Sequence, residues 1–420
     1  MSKVRISRHR YREKWMTRAR KVTLGLCLAL IVPTVDAANQ EIRALFQPDP
    51  AQPSKNVFVN KTPNSGYCAD WPVQCTENGM FSIQMPVRFR SSRPMFPGDS
   101  IALKVPANWR QLMVTNTLTQ ETERVEVRII GAGSKFILSD TAANLVGVTD
   151  HLEGHQKLWV GQAWVHASPP CQYSGVGVYS ERTFRFFWKT PLEEYCRKQT
   201  LYTIPGIEFD TLDIAYELRT PNPLGMSSGL YTGSLLYSLG AGGDFELGPL
   251  MIPDDNQLTL DFALDVQHTL KVDLPPGGNR VTLEPDGGWA SWINSGRKPT
   301  KIYRDQMFYI SASSRFRVTM LCTSTDGTRC KLGSPKGNTT EVETYLTLPS
   351  GISGPEGGDV KLQRLQYNTW LGPYQPGIYL DRKVGSLRFE VPRDAIDVLL
   401  KPGLNDTLSG HITIIWDSEV

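Results

Sequence analysis

The sequence is poor in the residue patterns that metal and hydrolytic chemistry draw on. Its 420 residues hold six histidines and seven cysteines, and no two cysteines stand in a close CxxC pair, which argues against a thiolate zinc site. "HLEGH" sets His151 and His155 four apart, with Glu153 between them and His166 further on. That spacing shares a metal only on a helix, and Gly154 favours a surface loop. "GMSSG" (225–229) matches the nucleophile elbow G-x-S-x-G, which needs a strand before it and a helix after it. Here "TPNPL" precedes and the strand-like "LYTGSLLYSL" follows, so Ser227 reads as part of a turn. "GAGGDFELG" lacks the Gly-Lys-Ser/Thr of a phosphate loop. The chain reads as a non-enzyme with no cofactor and no metal.

Long apolar runs and one-sided charge are also missing. The first 21 residues carry nine Lys/Arg, the 14-residue run "VTLGLCLALIVPTV" follows, and small or β-branched residues precede Ala38. This is the pattern of a signal peptide covering residues 1–37; the run is too short to span a bilayer, and no later segment could. The leader takes nine of the 45 basic and two of the 42 acidic residues with it, leaving 36 against 40. A mature net charge near −4 gives no support for nucleic-acid binding.

Cys27 leaves with the leader, and an even six remain. In an exported chain that implies disulfides, and the spacing favours neighbours: Cys68–Cys75, Cys171–Cys196 and Cys322–Cys330. Loop entropy assigns ~2.5 kcal/mol to each short loop and ~3.5 kcal/mol to the 171–196 loop.

What the mature sequence has in quantity is short alternating runs broken by Pro, Gly, Asn and Asp, such as "MFSIQMPVRFR", "RVEVRIIG", "TFRFFWKT", "LRFEV" and "HITIIW". Such runs predict an all-β chain of sandwich type. Helices are expected only at "DTAANL", "TPLEEYCRK" and "PRDAIDVLL". In "FALDVQHTLKVDL" the residues Phe262, Leu264, Val266, Leu270, Val272 and Leu274 share one face, with His268 its single polar member. Thirteen residues of alternation are long for one strand, and a strand that long often leaves one domain for the next. Two domains are therefore expected, at 38–261 and 262–420. A faint echo between "TGSLLYSLG" and "SGHITIIW" suggests that each closes its own sandwich.

The leader, the larger N-terminal β domain with its own disulfides, the short Cys–Cys loop near the C-terminus and the Gly-led closing strand resemble the two-domain tip subunits of chaperone–usher pili. "SSGLYTGSLLYSLGAGGDFELG" and "PGIYLDRKVGSLRFEV…SGHITIIWDSEV" are similar to stretches of enterobacterial fimbrial adhesins. The resemblance implies two immunoglobulin-like β-sandwiches, the C-terminal one a pilin fold that lacks its last strand. The edge at Ile412, Ile414, Trp416 and Val420 would then take a strand from a periplasmic chaperone, and later from the adjacent pilin subunit. It implies an outer-membrane usher as a further partner, a place at the fimbrial tip on the cell surface, and a host receptor, most simply a carbohydrate. One departure is Glu419, where many pilin subunits carry an aromatic residue. "ANQEIRALFQPDP" alternates only through Ile42, Ala44 and Phe46 before its prolines, and so looks unable to donate a strand. A non-binding subunit that initiates assembly is the second reading.

For receptor contact the aromatic-rich stretch "LWVGQAWVHASPPCQYSGVGVY" offers Trp159, Trp164, Tyr173 and Tyr179, and "CADWPVQC" offers Trp71. Aromatic faces in disulfide-held loops suit the C–H surfaces of sugars. Arg88 and Arg90 share the face opposite the run from Phe81 to Phe89, with Arg93 beyond, and suit an acidic glycan.

Overall fold

The structure is a computed structural model and describes residues 38–401 and 406–418. It is mostly β. The leader lies outside the described residues, and so do Glu419 and Val420.

From Ala38 to Val266 the strands gather around one core, and their organising element is the 17-residue strand Thr122–Leu138. Its first half pairs with Arg110–Asn116 and Leu212–Arg219, its second half with Thr183–Lys189 and Ile207–Phe209. The exchange of partners happens at Gly131 and Gly133. A Cβ on Gly133 would sit 2.2 Å from the Phe186 carbonyl oxygen, so only glycine admits the crossing strand. Inside, Trp164 stacks on Trp188 at 4.9 Å and meets Phe136 and Phe209 edge-on. Cys68–Cys75 and Cys171–Cys196 are disulfide-bonded.

From Leu270 onward two further sheets form. One orders the strands Leu270–Asp273, Ile302–Ala312, Leu380–Glu390, Thr339–Thr347 and Cys330–Gly333. The other orders Ile352–Ser353, Leu371–Pro376, Phe316–Cys322 and Ile412–Ser418. Phe308, Ile310, Val318, Met320, Leu346 and Tyr374 fill the space between them as a second core. Cys322–Cys330 closes a loop at the rim.

The alternating segment at 262–274 divides between the two cores. Gln257–Val266 is one strand of the first body and buries Phe262, Leu264 and Val266 there. Leu270–Asp273 belongs to the second. The change of core therefore falls at 267–269, not between 261 and 262. The echo does not mark two closing strands either: Gly229–Ser238 is followed by Met251–Pro253 and Gln257–Val266 in the same sheet.

Local expectations fare unevenly. Helices form at Ala142–Val146 and Arg393–Leu399. "TPLEEYCRK" is not helical: Cys196–Gln199 is a strand paired with Ser100–Leu103, anchored by the Cys171 bond. The "HLEGH" segment is a helix, His151–Lys157, capped by Asp150, whose side chain accepts from the Glu153 amide. Gly154 is tolerated because a Cβ there would meet the backbone of Ala142 and Ala143 at 2.6 Å. "CADWPVQC" forms two short helices, Tyr67–Asp70 and Pro72–Glu77.

His268 stands in the connection between the cores. Its Nε2 donates to the Met226 carbonyl at 2.9 Å, and its Nδ1 accepts from the Ser313 hydroxyl at 3.1 Å. Phe46 packs edge-on against the ring at 5.5 Å. Burial and the nearby Arg315 lower the imidazole's pKa below its ordinary value, against the carbonyl bonds that raise it. The unfolded chain thus binds the proton more readily, and the contribution of this contact is complete above pH ~6.5 and lost as the pH falls below it. Thermal unfolding across that range should show the loss, and His268→Gln should flatten it; an unchanged pH profile in the variant would remove His268 from the junction's energetics.

Candidate functional site

The two bodies treat their closing strands differently. In the first, Gln257–Val266 pairs antiparallel with Gly229–Ser238 on one side and parallel with Ala38–Phe46 on the other. Sequence accounts for the second pairing: Ile42, Ala44 and Phe46 alternate, and all three are buried opposite Phe262, Leu264 and Val266. The start of the segment is pinned as well, the Ala38 amide donating to Asp255 Oδ2 at 2.9 Å.

In the second body, Ile412–Ser418 pairs antiparallel with Phe316–Cys322, and no strand among the described residues takes its other side. The Thr323 amide donates to the His411 carbonyl. Alternation along an antiparallel ladder therefore turns Thr413, Ile415 and Asp417 toward the neighbour and the N–H and C=O of Ile412, Ile414 and Trp416 outward. The side chains of those same three residues point at the core but stay only half-buried, as do Leu270 and Val272 across from them. Trp416 is the best packed, with its ring 5.1 Å from Phe308 and 5.9 Å from Phe316. Beside Ile412 a cleft of about 170 Å³ opens, walled by Val281, Leu283, Leu332, Val342 and Phe389. Arg317 and Asp417 bridge on the opposite face at 2.8 Å. Val420 lies outside the described residues.

The ligand candidates scatter. Trp159 and Trp164, 1% and 0% exposed, belong to the aromatic core and leave no ring face for a sugar. Tyr173 and Tyr179 are 55% and 44% exposed on the edge strand Gln172–Tyr179. Trp71 is half-buried, with the Arg185 guanidinium 5.5 Å over its ring. Arg185 itself is held by Asp213, whose carboxyl burial pushes up to about 6 against the pull of Arg185. Arg88 and Arg90 are exposed on one face as expected, but Arg90 is paired with Glu208 at 3.2 Å and Arg93 with Asp99 at 2.7 Å. These residues lie on separate elements, of which the helix after Trp71 and the strand of Tyr173 and Tyr179 pack together, the Asn78 side-chain amide donating to the Ser174 carbonyl at 3.2 Å.

Other motifs resolve into structure. His155 is buried, its Nε2 at 2.9 Å from the Ser180 carbonyl, and desolvation lowers its pKa. Among the described residues there is no group of three metal-ligating side chains. Ser227 precedes a strand, and its amide donates to Glu121 Oε2. The sequence reading passed over Lys198, which lies in the wall of a cleft and is buried without a carboxylate partner among the described residues. Its alternation with Cys196 in "CRKQ" was the available signal, hidden by the helix expected there.

The half-covered edge has a measurable consequence. Ile42→Ala should cost the first body about 2–5 kcal/mol, as a fully enclosed isoleucine does. Ile414→Ala in the bare chain should cost less, about 1–2 kcal/mol, since its side chain is only partly buried. Urea unfolding of both variants decides; equal losses would mean that the closing edge is already enclosed.

No family model matches the chain, and no curated protein does. Solved structures are similar to it at low identity. CfaE, the adhesive subunit of the CFA/I fimbria of enterotoxigenic Escherichia coli, is 8% identical over 91% of this chain and 99% of its own, with a TM-score of 0.22. A chain from a chaperone–tip adhesin complex of CFA/I fimbriae is 11% identical over 91% of this chain and 97% of its own, with a TM-score of 0.25. A chain from the CsuC–CsuE chaperone–tip subunit complex of the Csu pili of Acinetobacter baumannii is 8% identical over 91% of this chain and 98% of its own, with a TM-score of 0.22.

Proposed function

We propose that this protein is the adhesive tip subunit of a chaperone–usher fimbria. In this reading both bodies are immunoglobulin-like sandwiches. The first, from Ala38 to about Val266, meets a host receptor, and the second is a pilin fold missing one strand. The observation that carries the reading is the contrast between the closing strands: among the described residues Gln257–Val266 has two neighbours, whereas Ile412–Ser418 has one.

An open edge flanked by half-buried Ile412, Ile414, Leu270 and Val272 is a template for strand addition. A donor inserting about five apolar side chains would add roughly ten kcal/mol of burial, as much as the net stability of a domain. A subunit so placed needs a periplasmic chaperone before assembly, an outer-membrane usher during it, and the adjacent subunit's strand afterwards. The other end supports a position at the tip. A donor strand must be free to leave, and Ala38–Phe46 is spent inside its own sheet. Cleavage after Ala37 would place the new α-ammonium on Asp255, which the Ala38 nitrogen already faces.

The test is to append an alternating apolar strand after Val420 through a flexible linker and produce residues 38–420 with and without it in a periplasm. The fused protein should be monomeric and melt well above the bare chain, which should aggregate. Equal solubility and melting would mean that the second body is complete and the fimbrial reading is wrong.

A further inference from the structure

A polar hollow in the first body has no part in strand exchange. It lies between the strand Cys196–Gln199 and the loop 160–169 and measures about 570 Å³. One side carries Ser100, Tyr195, Arg197 and Gln199; the other carries Val160, Gly161, Ser168 and Pro169.

Lys198 lies in its wall, 1% exposed. Its ammonium donates to the Gly161 carbonyl at 3.2 Å and the His166 carbonyl at 2.9 Å. These bonds latch the loop to the strand and use two of the three N–H donors, but two neutral carbonyls leave the charge uncompensated. Desolvation brings the Lys198 pKa down to about 8, which leaves the group mostly cationic at neutral pH. Arg197, exposed next to it, has no carboxylate partner among the described residues; its guanidinium stacks 4.8 Å from the Tyr195 ring centroid. Lys104 lies 5.3 Å from the centroid of that ring. The nearby acid, Glu246, is engaged by the Tyr195 hydroxyl at 2.9 Å. The Cys171–Cys196 bond holds the strand in place two residues from Lys198.

We propose that this cleft is a subsite for the anionic group of an acidic saccharide, a sulfate ester or a sugar carboxylate, held between Arg197 and the Lys198-latched loop. Arg197 supplies the planar, paired donors that match either oxyanion. Ser100, Ser168 and Gln199 offer groups for the hydroxyls. A second hollow shares Val160 and Gly161 and exposes Leu201 and Tyr202, an apolar rest for the next sugar. The inference deepens the adhesive reading of the first body and rests on it.

The test is titration calorimetry of the full mature chain with sialyllactose, sulfated lactose, neutral lactose and inorganic sulfate. One or both acidic saccharides should bind at least tenfold more tightly than lactose, and which one does identifies the oxyanion. Arg197→Gln should weaken that binding at least tenfold with an unchanged melting temperature. Lys198→Met should abolish it, and Lys198→Arg should restore part of it; because the first of these can also loosen the loop, Arg197→Gln carries the decision. The cleft is rejected if lactose binds as well as the acidic sugars, if only free sulfate binds, or if Arg197→Gln has no effect. Rejection accompanied by intact adhesion of the strand-complemented protein to host cells would leave the tip assignment standing and place the receptor site elsewhere.

Discussion

A β-strand carries N–H and C=O groups on both sides, and each needs a partner or water. That demand organises this molecule. The first body meets it internally, by laying Ala38–Phe46 along Gln257–Val266 in parallel register. The pairing encloses Ile42, Ala44 and Phe46 and completes the apolar row of Phe262, Leu264 and Val266. Among the described residues the second body has no such segment, its own first strand, Leu270–Asp273, being bonded to Ile302–Ala312 in the opposite sheet. The outer groups of Ile412, Ile414 and Trp416 are left facing outward, and the apolar space below them is only partly filled. The two edges thus differ: Gln257–Val266 is paired on both sides, and Ile412–Ser418 on one side among the described residues.

The aromatic cluster around Trp164 and Trp188 and the crossing at Gly133 fix the strands under the loop 160–169. Lys198 then ties that loop down from inside. A cation held this way costs desolvation energy that a hydrophobic residue of similar size would not. Its position beside Arg197, which has no carboxylate partner among the described residues, is the physical reason to look for an anion there.

The strands were legible in the sequence wherever one face met a core and the other met solvent. Gln257–Val266 alternates cleanly for that reason, and Ile412–Trp416 less so, because Ile415 is apolar on the outer face. The division at 267–269 was blurred because His268 sits in phase with the apolar residues before and after it, so periodicity alone could not say where one core stops. "TPLEEYCRK" looked helical from its composition, but pairing with Ser100–Leu103 and the bond to Cys171 decided its conformation, and both partners are distant in sequence. Gly154 misled in the other direction: it weakens an isolated helix, yet here it admits the neighbouring helix backbone. Trp159 and Trp164 were chosen for their chemistry, and whether an aromatic faces a core or a ligand is settled by packing that no local pattern records.

The central claim concerns individual amides, so residue-resolved hydrogen exchange on the mature chain tests it most directly. In the bare chain the amides of Ile412, Ile414 and Trp416 should exchange freely while those of Thr413 and Ile415 are slowed. Across Gln257–Val266, bonded on both sides, neighbouring amides should be protected without alternation. Protection of Ile412, Ile414 and Trp416 equal to that of Phe262 and Leu264 would mean that the closing edge already has its partner, and the strand-accepting role would fail.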